Sequence, residues 1–342
     1  MPAPESPQFV KTSLAGSLCL GLVPGRFAER ARCTFLNLLL TYESGCRAAC
    51  SYCGLAVNHS TDQSRTFIRV KWPAFPMNEI VGRLQSGTHP FKRVCVSMIT
   101  HENALADACT VIRECRQKTD LPVSGLLCPT AMRGKDDLER IKVAGADRVG
   151  IAVDAATREL FEKHRGQGVH GPHSWELFWQ AVADAVDIFG RFRVGVHLIV
   201  GLGETEEQIV YAISMAYEAG VLTHLFSLFP EAGSLMEKAP QPPLGKYRRV
   251  QLARFLVNEG IISQKAIRFS PEGQIVDFGI DIETYARGGR PFMTSGCLGE
   301  DGRLACNRPF ANERASGPIR NYPFLPEKED METIRNQIWD RG

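Results

Sequence analysis

No stretch of about eighteen or more apolar residues occurs in the 342-residue chain, which excludes a conventional membrane-spanning helix. Runs of like charge are also missing. Forty Lys+Arg against 38 Asp+Glu leave a formal net charge of +2, so no basic track calls for a nucleic acid. Leu14–Val23, the most leader-like segment, follows a single cation, Lys11, and runs into Pro-Gly-Arg without a small-x-small cleavage site. It therefore reads as an amphipathic N-terminal helix. There is no internal repeat and no low-complexity tract. Apolar residues make up 44% and charged residues 23%, ordinary globular usage that speaks against a disordered or fibrous chain. The length exceeds an average domain, but one β/α barrel with extensions absorbs it. Cysteine is what the chain has in plenty. Eleven of them, an odd number scattered along the sequence, do not form a secreted disulfide framework; metal binding or redox work in a reducing cytosol fits better, and a cytoplasmic location is expected.

A short β-rich run followed by a helical stretch recurs along the chain. Strands are predicted at Phe35–Tyr42, Arg93–Ile99, Pro122–Leu127, Arg148–Val153, Arg193–Val200 and His224–Phe229. Helices are predicted at Asn103–Thr119, Ala131–Ala144, Ser174–Phe189, Glu206–Ala219 and, after a Pro-rich stretch, Tyr247–Glu259. Alternation of this kind implies parallel pairing with right-handed crossovers, so the expected fold class is α/β, a complete or partial parallel β/α barrel. The expected organisation is an N-terminal helical extension over 1–34, the barrel core over 35–235 and an irregular extension over 236–342 that closes over the barrel. Gly201-Leu202-Gly203-Glu204 ends the fifth strand, and Thr205 to Gln208 opens the next helix as a capping box. That loop lies at the C-terminal end of a strand, where barrels of this kind build their active sites.

The first such loop holds Cys46, Cys50 and Cys53 in the stretch Glu43-Ser44-Gly45-Cys46-Arg47-Ala48-Ala49-Cys50-Ser51-Tyr52-Cys53-Gly54. Three thiolates spaced CxxxCxxC can hold three irons of a 4Fe–4S cluster and leave the fourth open to a small molecule. The competing readings are a structural zinc knuckle, for which the nearest extra ligand is His59, and three unrelated buried thiols.

On this triplet after the first barrel strand, the sequence over about residues 10–235 resembles the radical S-adenosylmethionine (SAM) superfamily. The resemblance implies that the open iron binds the amino and carboxylate groups of the SAM methionine moiety. Reductive cleavage then gives a 5′-deoxyadenosyl radical that abstracts hydrogen from substrate. Tyr52 takes the aromatic position that backs the adenine. The run His197 to Glu204 resembles the strand-five adenine motif, with His197 in place of its first glycine; this puts Gly201, Gly203 and Glu204 among the cofactor-binding residues. Without the family, Gly201 and Gly203 are only a turn signal. Asp154 is placed like the acid that binds the ribose in biotin synthase. Strand two ends Ser97-Met98-Ile99-Thr100 and lacks the Gly-Gly-Glu that receives the methionine amine, so that contact has no residue assigned to it.

A second constellation, Cys297 and Cys306, lies in a Gly-rich irregular stretch that offers a thiol no packed apolar face. Cys95 and Cys128 fall in or just after strands two and three. In biotin synthase cysteines at the matching strand positions hold an auxiliary cluster, although the position of the third, on strand five, is here Gly195. Cys95, Cys128, Cys297 and Cys306 together would complete a second iron–sulfur cluster; strand cysteines are also commonly just small buried apolar residues. Cys19, Cys33, Cys109 and Cys115 read as structural. His164, His170 and His173, in a Gly-rich stretch, read either as ligands or as a solvated loop, and Arg165 and Arg308 either meet an anion or pair with surface carboxylates.

The N-terminal SLAGSLCLGLVPG helix and the Ser-Gly-Cys…Cys-Asn-Arg-Pro-Phe tail resemble the two-component lipoyl synthases of archaea and some bacteria. That resemblance implies a sulfurtransferase that inserts sulfur into the octanoyl chain of an octanoylated lipoyl-carrier protein, with the auxiliary cluster as sulfur donor. It also implies a paralogous radical SAM subunit and an electron donor such as ferredoxin or flavodoxin; from the charge balance and the lack of a long apolar run, neither a nucleic-acid nor a membrane partner is expected. Two alternatives use the same parts: another biotin-synthase-like enzyme whose second cluster only transfers electrons, and a non-catalytic zinc-binding barrel scaffold.

Overall fold

The computed structural model describes residues 3–25, 32–59, 66–307 and 318–340. Its centre is an eight-stranded sheet. In chain order the elements are β1 (Phe9–Thr12), α1 (Leu14–Cys19), β2 (Phe35–Leu40), β3 (Ala74–Pro76), α2 (Met77–Gln85), β4 (Arg93–Ser97), α3 (Ala104–Lys118), β5 (Val123–Leu127) and α4 (Lys135–Ala144). Then follow β6 (Ala146–Asp154), α5 (Arg158–His164), α6 (Trp175–Phe189), β7 (Val194–Val200), α7 (Glu206–Glu218), β8 (Leu222–Ser227), α8 (Leu244–Asn258), β9 (Arg268–Phe269), β10 (Ile275–Asp277), α9 (Glu283–Ala286) and α10 (Lys328–Ile338).

The sheet order is β3-β1-β2-β4-β5-β6-β7-β8, with β2 and β4 to β8 mutually parallel. Residues of β2 and of β4 to β8 line one common cavity, so the parallel strands curl into a partial barrel whose lumen they share. All six are the strands expected from the sequence. Each is covered on its outer side by a helix, which is why β2 is buried along its whole length (FLNLLL) rather than alternating. The helix starts follow their caps: Ser174 accepts from Leu177 N at α6, and Thr205 and Gln208 close a capping box at α7.

Two strands of this sheet, β1 and β3, and the separate β9–β10 pair were not expected. Residues 9–12 form β1, which pairs antiparallel with β2 and β3. The predicted Leu14–Val23 helix is present only as the short α1. Four residues with one buried alternation (FVKT) carry too little pattern to be read as a strand; their extended form is set by pairing with Leu38–Leu40. The C-terminal extension packs as a second apolar cluster against α8, with Phe278, Phe292, Tyr322, Met331 and Ile334 buried in it. Its cysteine-bearing part, however, does not cover the mouth of the barrel. Arg93 Nε, at the start of β4, donates to Leu298 O (2.7 Å); Thr34, before β2, donates through Oγ1 to Ala305 O (2.6 Å) and through its amide to Asn307 Oδ1 (3.2 Å). These contacts lie at the N-terminal ends of the strands, so the tail plugs the bottom of the barrel.

Candidate active site at the mouth and in the lumen of the barrel

Cys46, Cys50 and Cys53 sit on the loop after β2 and line one cavity with Tyr52, Asp154, Arg165, Cys128, His173, His197 and Glu231, at the C-terminal ends of the strands. About 1180 Å³ of empty space lies within it, counting the part open to solvent. The loop is pinned at several points: Arg47 N donates to Thr100 O (2.8 Å), Ser51 N to His164 O (2.9 Å) and Val57 N to Ala48 O (2.8 Å). Ser51 Oγ also bonds His164 Nδ1 (2.8 Å), whose Nε2 bonds Leu202 O (2.9 Å). His164 thus ties the cysteine loop to the Gly201–Glu204 turn and is a positioning residue rather than a ligand. Two thiols already receive backbone donors, Ala48 N to Cys46 Sγ (3.5 Å) and Leu55 N to Cys53 Sγ (3.4 Å). Donors aimed at sulfur suit thiolates that carry a cluster. In the bare protein burial raises two of the three thiols, Cys50 to about 11 and Cys53 well above the ordinary range, with Arg165 partly offsetting the rise at Cys50.

Asp154 ends β6 in a conformation that side chains rarely adopt, φ +64°, inside a three-residue turn closed by Ala155 N to Val153 O (2.8 Å). A non-glycine residue held there is strained and is retained where the surroundings over-determine it. Here they do. Tyr52 Oη donates to Asp154 Oδ2 (2.5 Å), and Arg165 Nη1 lies 3.3 Å from the same oxygen. Arg165 is buried, donates to Ala152 O and Val153 O, and stacks over the rings of Phe178 (4.8 Å) and Phe161 (5.3 Å). Burial pulls its guanidinium down, but Tyr52, Asp154 and Cys50 outweigh that and hold it above its ordinary value. Burial also keeps His173 neutral, lowering it to about 3; its Nδ1 bonds Thr130 Oγ1 (2.7 Å). His170 is exposed.

Gly201, Gly203 and Glu204 do not line this cavity. Both glycines have positive φ, +114° and +115°. The Glu204 carboxylate, 0% exposed, accepts from Gly201 N and Leu202 N (2.9 Å each) and pairs with Lys246 (2.8 Å). Glu204 therefore acts on the turn that follows β7. Further along the wall, Ser97, Met98, Ile99 and Thr100 occupy the place of the missing Gly-Gly-Glu and do line the cavity. Reading the sequence alone also misses Glu231, which follows β8 and accepts from Thr66 Oγ1 (2.6 Å) and Arg69 N (2.5 Å), drawing Phe67 and Ile68 over the mouth. An isolated acid beyond the last strand carries no signal that could have found it.

A second, smaller cavity lies deeper in the lumen, lined by Cys95, His224, Ser295, Cys297 and Cys306, with Leu126, His197 and Phe226 shared between the two. Cys128 is not brought to the other three second-constellation cysteines: it lines the upper cavity, where its Sγ meets Thr100 Oγ1 (3.3 Å). It sits after the end of β5, whereas Cys95 lies in the middle of β4 paired with Ser124. Cys19 and Cys33 hydrogen-bond to each other and line neither cavity, and Cys109 and Cys115 are buried in α3. Arg308 lies outside the described residues.

A model of the Radical SAM superfamily matches residues 42–216. No curated protein matches the sequence. Among solved structures, methylornithine synthase (PylB) aligns with a TM-score of 0.50 and 15% identity over 67% of this chain and 63% of its own. HydG, a maturase of the FeFe-hydrogenase, aligns with a TM-score of 0.50 and 18% identity over 66% of this chain and 50% of its own. This chain thus spans less than two thirds of the length of either. At such identities the likeness establishes the fold alone.

Proposed function

The chain belongs to the radical SAM superfamily, and from that premise we propose that it is a sulfurtransferase that replaces C–H by C–S bonds in a protein-bound octanoyl chain, as one component of a lipoyl synthase. A 4Fe–4S cluster held by Cys46, Cys50 and Cys53 would pass an electron from an external one-electron donor to bound SAM, whose reductive cleavage would yield methionine and a 5′-deoxyadenosyl radical. The residues present fit that group: three cysteines of one loop face a single cavity, and two of their sulfurs receive amide donors.

The chain's own contribution is placement. Asp154 offers an anionic acceptor for the ribose hydroxyls, and the Tyr52 ring forms a wall of the space above the cysteines. Arg165 fixes the Asp154 carboxylate from behind and places a permanent positive charge beside Cys50. Leu39, Met98, Leu126, Ile199 and Phe226 exclude water from the lumen, which protects a carbon radical from quenching and suits an alkyl chain.

One observation carries the sulfur-insertion reading. The tail delivers Cys297 and Cys306 not to the surface but to a cavity directly below the radical site, sharing Leu126, His197 and Phe226 with it. A substrate carbon radical needs a sulfide within bonding distance, and a second cluster there would stand next to the chain that the upper cavity holds. Reconstituted, reduced protein incubated with SAM and an octanoylated carrier peptide is expected to yield 5′-deoxyadenosine and a peptide heavier by sulfur. An unchanged peptide mass alongside steady 5′-deoxyadenosine formation that is independent of the peptide would refute this substrate and favour a second cluster used only for electrons.

A further inference from the structure

The deeper cavity gathers donors that the radical site does not use. Resting on the reading that this iron–sulfur enzyme carries a second cluster, we propose that the cluster is held by Cys95, Cys297 and Cys306 with His224 as its nitrogen ligand, and that Cys128 takes no part.

All four residues line the same enclosed space. Cys297 and Cys306 stand at the base of a hairpin: Gly299 N donates to Arg303 O (2.8 Å), while Ala305 N and Cys306 N both donate to Cys297 O (3.0 and 3.1 Å). The hairpin brings the two sulfurs to one side, and Gly296 permits the approach, since a Cβ there would lie 2.9 Å from Cys306 Sγ. It is held beneath the barrel by Arg93 on Leu298 O, by Leu225 N on Ser295 Oγ (3.1 Å) and by Thr34 on Ala305 O. Arg93, 1% exposed, also sets a fixed positive charge beside the thiol-bearing loop. Cys95 meets the hairpin from β4.

His224 supplies the independent observation. It is 7% exposed, and its Nδ1 is a fully buried nitrogen with no hydrogen-bond partner. An unsatisfied buried polar atom costs about 1–3 kcal/mol unless something else engages it. The adjacent strand is shaped for this ring: Gly195 on β7, which pairs with Leu222 two residues before His224, has no Cβ, and one placed there would lie 2.6 Å from His224 Nε2. By resemblance to biotin synthase this is the place of a strand-five cysteine that the present chain lacks; the imidazole of the next strand occupies the space instead.

The test uses the full chain carrying Cys46→Ala, Cys50→Ala and Cys53→Ala, so that only the second centre is present, reconstituted anaerobically with iron and sulfide. Iron and labile sulfide are counted, and pulsed EPR of the reduced sample, with and without ¹⁵N-histidine, reads nitrogen coupling. We expect one cluster per chain with a histidine nitrogen coupled to it. His224→Ala should abolish the coupling, and His224→Cys should keep the iron while still lacking the coupling, which separates ligation from collapse of the fold. Cys95→Ala, Cys297→Ala or Cys306→Ala should each lower the iron content, while Cys128→Ala leaves iron and coupling unchanged. Persistence of the coupling in His224→Ala, loss of iron in Cys128→Ala, retention of all iron when Cys95, Cys297 and Cys306 are replaced together, or loss of iron confined to a Cys19→Ser, Cys33→Ser variant would each overturn the assignment. So would stoichiometric zinc in protein purified anaerobically. None of these readouts depends on the substrate: an intact histidine-coupled signal in a wild-type enzyme that inserts no sulfur refutes the lipoyl reading alone.

Discussion

The Arg165–Asp154 pair makes a quantitative demand that can be met without any cofactor. The two side chains are 7% and 13% exposed and their charged atoms are 3.3 Å apart. At an effective dielectric constant of about 20, Coulomb's law gives about 5 kcal/mol of attraction at that distance. Much of this offsets the desolvation of the two ions, so the pair need add little net stability, but breaking it from one side costs about 3–5 kcal/mol. Arg165→Met keeps most of the volume and the contact with Phe178 while leaving the Asp154 carboxylate facing only Tyr52. Asp154→Asn keeps a residue type that tolerates φ +64° and removes the charge. In urea unfolding of the apo protein under reductant, Arg165→Met should lose about 3–5 kcal/mol. The double variant should be more stable than the sum of the two single losses by about 1–3 kcal/mol. Strict additivity, or a loss below about 1 kcal/mol for Arg165→Met, would show that the two groups do not act as a buried pair.

Asp154→Ala should weaken SAM binding by roughly ten-fold or more, the loss of one charge-assisted hydrogen bond of about 1.5–3 kcal/mol; anaerobic calorimetry with unchanged affinity would remove Asp154 from the ribose site. Gly54→Ala would place a Cβ 2.1 Å from Thr66 O, so it should displace the cysteine loop, cost about 1–3 kcal/mol and lower iron uptake; normal iron uptake would contradict the packing described. His173 is buried and held near 3, well below its unfolded value of 6.5. The unfolded chain therefore binds a proton that the folded chain refuses, and stability should fall as pH drops from about 6.5 toward 3, by up to about 1.4 kcal/mol per pH unit from this residue. His173→Gln should flatten that slope in urea titrations between those limits, and an unchanged slope would assign it elsewhere. Glu204→Ala removes the acceptor of one buried and one part-buried amide and the partner of Lys246 and should destabilise by about 1–3 kcal/mol, read as a lower unfolding midpoint.

The parallel strands were legible because buried parallel strands are nearly all apolar, and FLNLLL or VGVHLIV cannot easily be read otherwise. The cysteine triplet was legible for a different reason: its spacing is local, so three neighbours in sequence are necessarily neighbours in space. Contacts between distant residues were not. Arg165 lies eleven residues beyond Asp154, and nothing local says that α5 returns it to the Asp154 carboxylate. Cys95 and Cys128 look equivalent as cysteines of adjacent strands, but one sits in mid-strand and the other after its end, so they open into different cavities. His224 carried no motif at all; only the absent Cβ of Gly195 and the unpaired Nδ1 single it out. The tail's destination was hidden for the same reason, because it depends on Arg93 and Thr34, hundreds of positions away in the chain.

The central claim, that Cys46, Cys50 and Cys53 build a reductive SAM-cleaving site at the mouth of this barrel, is tested most directly by 5′-deoxyadenosine formation. Anaerobically reconstituted protein should release it from SAM when reductant is added and not otherwise, and the Cys46→Ala, Cys50→Ala, Cys53→Ala protein, folded as judged by its far-ultraviolet circular dichroism, should release none. Undiminished 5′-deoxyadenosine formation by that triple variant would contradict the account.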